Sequence, residues 1–312
     1  MRHNTKVLYS LPETAYAESN FPPSSSPIVL SLQLTLPTSP SAIMSTDADA
    51  WSKTANAYAG LITDATGKAG DALLDLVEAL RPLSGDSIVL DSGAGTGELT
   101  TRILKRSPRA SVTATDVAPG MLQILNNRQL PIKTQILDAT KDYVSQGLQP
   151  EHFTHVLSTF MHQFITPVQK SVEESFRILQ SGGILGIAIW SKNDVFKPWD
   201  IACLSLDPSY KPMEPGLGLF EWREPDQMEI AYYAAGFTEV SSDKMQLRLE
   251  WASAEEFADY FLTAKNPGFL LAQSTWKGSL EEVRGELVKV TREQFDDGKI
   301  FVEAAFTVGR KP

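Results

Sequence analysis

The sequence predicts an α/β fold with a mostly parallel sheet, on three observations. Short β-branched runs alternate with helix-period segments between residues 88 and 190. A carboxylate and three alternate glycines, Asp91-Ser92-Gly93-Ala94-Gly95-Thr96-Gly97, stand where the first such run gives way to a helix. Lys299 to Val308 then alternates, placing Ile300, Val302, Ala304, Phe306 and Val308 on one face of a closing strand.

In chain order, residues 1–44 come first. They hold Pro22-Pro23, Ser24-Ser25-Ser26-Pro27 and Pro37 to Pro40 with little periodicity, and such a segment buries too little apolar surface to offset its ordering entropy. A disordered, dispensable tail is expected there, with Met44 resembling an ordinary start. Residues 45–312 read as one domain. It opens on a helical segment, 45–86. Trp51 to Gly60 is one helix, with Trp51, Ala55 and Tyr58 on one face. Lys68 to Leu80 is the next, with Leu73, Leu76, Val77 and Leu80 as its stripe.

Strands are expected at Ile88–Leu90, Ser111–Thr115, Ile132–Leu137, Phe153–Thr159 and Ile184–Trp190. Thr166-Pro167 starts a helix with Pro at its first position, carrying Val168, Val172, Phe176 and Leu179 inward. Residues 191–223 read as an irregular, aromatic acceptor-side segment broken by four prolines. Pro225–Gly236 reads as a helix and Phe237–Trp251 as a strand. Ser253-Ala254-Glu255-Glu256 and Ser279-Leu280-Glu281-Glu282 are capping boxes opening two more helices.

The glycine spacing selects the ligand. A dinucleotide loop needs G-x-G-x-x-G, and here the third place is Glu98, whose carboxylate would repel a pyrophosphate. The pattern is instead D-x-G-x-G-x-G, from Asp91 through Gly97. Asp116, 25 residues after Asp91, stands close to where a βαβ unit places a ribose-binding acid; a helix cap before Pro119 is the plainer alternative.

With these residues the chain resembles the class I S-adenosylmethionine-dependent methyltransferases. Asp116-Val117-Ala118-Pro119-Gly120-Met121-Leu122 and the run Phe176 to Leu185 are similar to motifs of the ubiquinone- and menaquinone-biosynthesis type. Two departures are Thr154, where an acid is frequent, and Gln180-Ser181 before Gly182-Gly183, where Lys-Pro is common. The resemblance implies a Rossmann-like, seven-stranded, mostly parallel sheet with helices on both faces and an antiparallel last strand. It implies S-adenosylmethionine as cofactor. The implied cofactor residues are Tyr58, Asp91, Ser92, Gly93, Gly95, Gly97, Asp116, Val117, Met121, Asp138, Ala139 and Ser158. Among them Met121 would pack on adenine and Asp138 would face its amino group. The leading helices would lie over the pocket as a lid.

Composition narrows the acceptor. A net charge of −10 disfavours a phosphate backbone, so a small organic acceptor is expected and no nucleic acid. Cys203 is the one cysteine, which excludes an intrachain disulfide, fits a cytoplasmic setting and reads as an apolar filler. The longest apolar candidate, Ile28 to Leu36, is too short and too interrupted for a membrane span. No Cys/His spacing suggests a metal. His162, just past the fourth strand, is the candidate proton acceptor, whereas His155 within the strand should be packed. Two other readings share the same motifs: a fold that binds the cofactor but catalyses a rearrangement, and a non-catalytic binding protein. Oligomeric state is not legible.

Overall fold

The computed structural model describes residues 48–49, 51–52, 63–165, 167–212, 225–264 and 267–312. The expected tail, most of the first leading helix with Tyr58, and residues 213–223 lie outside them. Seven strands form one sheet: β1 (Ile88–Ser92), β2 (Ser111–Asp116), β3 (Lys133–Ile136), β4 (Phe153–Thr159), β5 (Leu179–Asn193), β6 (Thr238–Glu250) and β7 (Lys299–Arg310). Their order is β3-β2-β1-β4-β5-β7-β6. The first five strands of that order pair in parallel. β7 is antiparallel to both β5 and β6. The expected architecture is therefore present, closing strand included.

Strand periodicity explains why both faces are covered. Val89, Leu157 and Ile184 belong to one apolar core, and their sequence neighbours Leu90, Val156 and Leu185 belong to the other. The first face receives α1 (Thr63–Leu80) and α2 (Glu98–Arg106), through Leu73, Val77 and Ile103. α3 (Pro119–Asn127) lays Leu122 and Leu125 on Ala114. The second face receives α4 (Val168–Ile178) through Val172, joined further along the chain by Met228, Ala231 and Tyr232. α1 begins five residues earlier than the stripe suggests. Pro167 is the N-cap of α4, not its first helical residue.

The C-terminal half corrects the sequence reading more. Residues 191–223 are not irregular throughout: β5 continues to Asn193, a 3-10 turn spans Asp194–Phe196, and α5 covers Lys197–Leu206. Trp199, Ala202 and Cys203 are buried at i, i+3 and i+4, a helical period that the flanking prolines obscure. After α6 (Pro225–Ala235) and β6 come α7 (Ala254–Thr263), α8 (Pro267–Thr275) and α9 (Leu280–Gln294). α8 was not foreseen, because its Phe269-Leu270-Leu271-Ala272 run has no clean period. Aromatic rings join these helices. Trp199 stacks on Phe261 with centroids 5.1 Å apart, and Phe261 on Phe269 at 4.5 Å. Burial, with the Asp200 charge adding to it, pushes the Cys203 thiol up to about 12, so it fills space as expected. Among the described residues no helix is long and apolar enough to cross a membrane.

Both capping serines act. Ser253 Oγ accepts the Glu256 N–H at 3.2 Å, while Glu256 Oε2 accepts the Ala252 N–H at 2.5 Å. Ser279 Oγ accepts the Glu281 N–H at 3.1 Å. Replacing Ser253 by Ala leaves an orphan donor at the start of α7 and is expected to cost about 1 kcal/mol. A thermal melt should show the midpoint lowered by about 2–4 °C; an unchanged midpoint would mean that water replaces the cap in full.

Candidate cofactor site

The sheet order reverses beside β1, where β2 lies on one side and β4 on the other. Loops leaving these strands diverge to opposite faces, which opens a crevice at their carboxyl ends. A cleft enclosing about 950 Å3, mouth included, occupies that place. Its floor is the β1–α2 loop, held by the Ala94 N–H on Thr115 O at 2.8 Å and the Gly97 N–H on Ala94 O at 2.9 Å.

The three glycines of this loop all have positive φ, and they differ in what a side chain would meet. A Cβ on Gly97, φ 94°, would lie 2.2 Å from Leu125 Cδ1, so this glycine lets α3 pack. On Gly93, φ 71°, it would strike Met161 Cγ at 2.4 Å. On Gly95, φ 55°, it would meet no atom of the described residues within 4 Å. Gly95 therefore lines space that the protein leaves open at the cleft.

Asp116 joins this loop to β2. Its Oδ2 accepts the Gly95 N–H and its Oδ1 the Ala118 N–H, each at 2.9 Å. The carboxylate thus holds the turn at Ala118, the N-cap of α3, without accepting from the helix's own first turn, and it lines the cleft. Burial raises its pKa, against the lowering effect of the backbone N–H groups. Asp138 lines the cleft at the end of β3, with Oδ1 accepting from Thr140 Oγ1 at 2.6 Å and the Thr140 N–H at 3.0 Å. Burial works against its charge, but these bonds and Lys141 hold it below the usual carboxylate range. Val117, Met121 and Ala139 line the cleft beside them.

Other expected residues lie elsewhere. Gly97, Asp91, Ser92, Ser158 and His162 are not among the lining residues. Asp91 is fully buried, with Thr100 Oγ1 donating to its Oδ2 at 2.5 Å and no partner on Oδ1 among the described residues. Burial pushes its carboxyl up to about 7, against the Thr100 bond and helped by the Asp116 charge. The hydroxyl of Ser92 is also buried, beside the Tyr143 hydroxyl.

His162 does not have the geometry expected of a proton acceptor. It is 1% exposed, its Nδ1 lies 3.1 Å from Ser158 Oγ, and its Nε2 lies 3.1 Å from Ser171 Oγ. Both nitrogens are engaged, and burial pushes the ring down to about 3. His155 is packed as expected. It lies between Thr154 Oγ1 at 2.8 Å and Arg81 O at 3.1 Å, and burial lowers it to about 4.

Sequence reasoning missed Thr140, Thr159, Phe160, Met161, Phe164 and Ile165, all of which line the cleft. The signal was present. Residues 159–165 leave the carboxyl end of β4 beside the switch point, where ligands bind in this topology. Trp51 also lines the cleft, and its ring meets Phe164 edge-on at 4.9 Å.

The described lining residues include Glu98, Asp116 and Asp138 but no lysine, arginine or histidine. Glu98 is paired with Arg102 at 3.3 Å and Arg128 at 2.6 Å. Such a wall suits a cofactor with a sulfonium and an ammonium, and it opposes a pyrophosphate. The residues fit S-adenosylmethionine: Gly93 and Gly95 would cradle it, and Asp116 and Asp138 would accept its hydroxyl and amino hydrogens. Among the described residues no group of His, Cys, Asp and Glu is placed to hold a metal.

Residues 89–183 match the family model described as a methyltransferase domain. Methyltransferase ucsB of an Acremonium species is 25% identical over 229 residues, 68% of this chain and 77% of that protein. Ubiquinone/menaquinone biosynthesis C-methyltransferase UbiE of Cereibacter sphaeroides is 29% identical over 126 residues, 39% of this chain. The match spans about half of that relative, 48% of its length. Among solved structures, Haemonchus contortus phosphoethanolamine N-methyltransferase 2 in complex with S-adenosyl-L-methionine is similar with a TM-score of 0.48 at 18% identity, covering 78% of this chain and 52% of that one. These similarities indicate a class I S-adenosylmethionine-dependent methyltransferase.

Two substitutions probe the cleft. Gly95→Val would fill the open space and force a β-branched residue to positive φ, so calorimetry should detect no cofactor binding. Asp116→Ala should weaken S-adenosylmethionine by about 2–3 kcal/mol, roughly 30- to 150-fold. It should also lower stability by about 1–2 kcal/mol, through the two backbone donors left behind. Full affinity in a folded Asp116→Ala variant would assign the ribose to another group.

Asp91 predicts a pH effect. Its folded value of about 7 exceeds the ordinary carboxylate value, so the folded state binds this proton more tightly than the unfolded chain. Its contribution to stability therefore falls as pH rises between about 4 and 7. Asp91→Asn should flatten that slope, and urea unfolding at pH 5 and pH 8 would show it. Equal slopes in both proteins would contradict the assignment.

Proposed function

We propose that the chain transfers the methyl group of S-adenosylmethionine to a small organic acceptor held in the same cleft. The cofactor, when bound, supplies an activated methyl on a sulfonium leaving group. The chain's own residues bind and orient. Glycine and carboxylate groups at the carboxyl ends of β1, β2 and β3 line the cleft together with the apolar turn of Phe160, Met161, Phe164 and Ile165. The observation that carries the reading is the open space at Gly95 beside a carboxylate wall without a cationic side chain among the described lining residues. Rate acceleration then comes mainly from proximity and orientation. The cleft and the net charge of −10 favour a small molecule over nucleic acid. A cytoplasmic setting is consistent with the single, buried cysteine.

The test has two stages. Calorimetry is expected to show binding of S-adenosylmethionine and S-adenosylhomocysteine and none of NAD. Incubation with metabolite pools is then expected to yield a small molecule heavier by one methyl group in mass spectrometry. Binding without any methyl gain would support a rearrangement or a non-catalytic role instead.

A further inference from the structure

The turn between β4 and α4 supplies four cleft residues, Phe160, Met161, Phe164 and Ile165. His162 belongs to that turn and is buried away from the cleft. Its ring is the centre of a buried chain of hydrogen bonds. Ser158 Oγ on β4 lies 3.1 Å from Nδ1, Ser171 Oγ on α4 lies 3.1 Å from Nε2, and Ser171 Oγ lies 2.9 Å from the Tyr143 hydroxyl. All four side chains are buried. Tyr143 sits in the segment between β3 and β4, three residues after Thr140 of the cleft wall. The chain of bonds therefore links the Phe160–Ile165 turn to the segment that follows Thr140.

On its far side the turn is held to β5, and on its other side Phe164 meets Trp51 while Ile165 shares an apolar cluster with Ala139 and Tyr143. Gln163 Oε1 accepts the Trp190 N–H at 3.0 Å, and Phe160 stacks on Trp190 with centroids 4.0 Å apart. Phe160 also has φ 59°, a conformation that persists only where its surroundings enforce it. Without His162 the turn keeps its contacts with β5 and its apolar packing but loses its hydrogen-bonded tie to the Tyr143 segment.

We propose that His162 is a positioning residue, which locks the Phe160–Ile165 turn to the Asp138–Tyr143 segment and so sets the spacing of these two parts of the cleft lining. The proposal rests on the reading of this cleft as the S-adenosylmethionine site. A neutral imidazole has one donor and one acceptor, so either tautomer serves both serine hydroxyls, which rotate to match. Burial keeps the ring neutral far below pH 7, so the tie does not change through the physiological range. Removing the ring strands buried hydroxyls that water does not reach.

Calorimetry with S-adenosylhomocysteine on the full chain tests this, with thermal melts to confirm folding. His162→Leu and Ser171→Ala are each expected to raise Kd about tenfold, the effect of one buried hydrogen bond. The double variant should be no weaker than His162→Leu, because both changes break one chain. His162→Asn, which reaches Ser158 alone, should fall between wild type and His162→Leu. Its Kd relative to wild type should be the same at pH 6 and pH 8. A folded His162→Leu with wild-type Kd would overturn the proposal. So would additive effects, or a ratio that changes with pH, since the ring would then be exchanging a proton. If His162→Leu does not fold, Ser171→Ala decides alone, and an unchanged Kd there overturns it. Wild-type protein that binds no S-adenosylhomocysteine would instead overturn the cofactor reading, a separate result.

Discussion

Parallel pairing around β1 is the constraint on which the rest depends. Parallel strands all present their carboxyl ends on the same edge, and the order β3-β2-β1-β4 places three of the chain's acids, Asp91, Asp116 and Asp138, at that edge. Those acids lie far apart in sequence and converge only because the crossovers return each strand in the same direction. The hydrogen bond from the Gly95 N–H to Asp116 then ties the glycine loop to the second strand end. Backbone topology brings the charges together, and one side chain fixes the loop among them.

Burial divides these carboxylates into different kinds. Asp138 has Lys141 and two Thr140 donors, and it keeps its charge. Asp116 relies on two backbone donors. Asp91 has only Thr100 as a donor among the described residues, so its charge is the most costly to hold. The three acids look alike in the sequence, and only their partners separate them. The same holds for the histidines, since His162 and His155 are both neutral through burial rather than through sequence position.

The parts of the fold governed by local pattern were legible in the sequence. β4 has its expected limits, because a seven-residue β-branched and aromatic run bounded by loops admits little else. The Pro119 start of α3 and both capping serines were likewise legible. α5 and α8 were not, because prolines interrupt one and the other is apolar without period. In the site, the glycines and the acids at strand ends could be read directly. The direction of a side chain after a strand end could not. Met161 faces the cleft and His162 the core, one residue apart, and that depends on the turn's dihedral angles.

The strand that closes the sheet in sequence is not at its edge in space. β7 lies between β5 and β6, and β6 has no other strand neighbour among the described residues. During synthesis, residues 238–250 emerge well before the strand they must pair with. The intervening three helices emerge meanwhile with no finished sheet to rest on. Until residues 299–310 follow, β5 has an open edge and β6 has none of its ladder. Such edges bind other chains readily. The nascent chain therefore passes through a period of vulnerability to association that ends only when its final strand inserts.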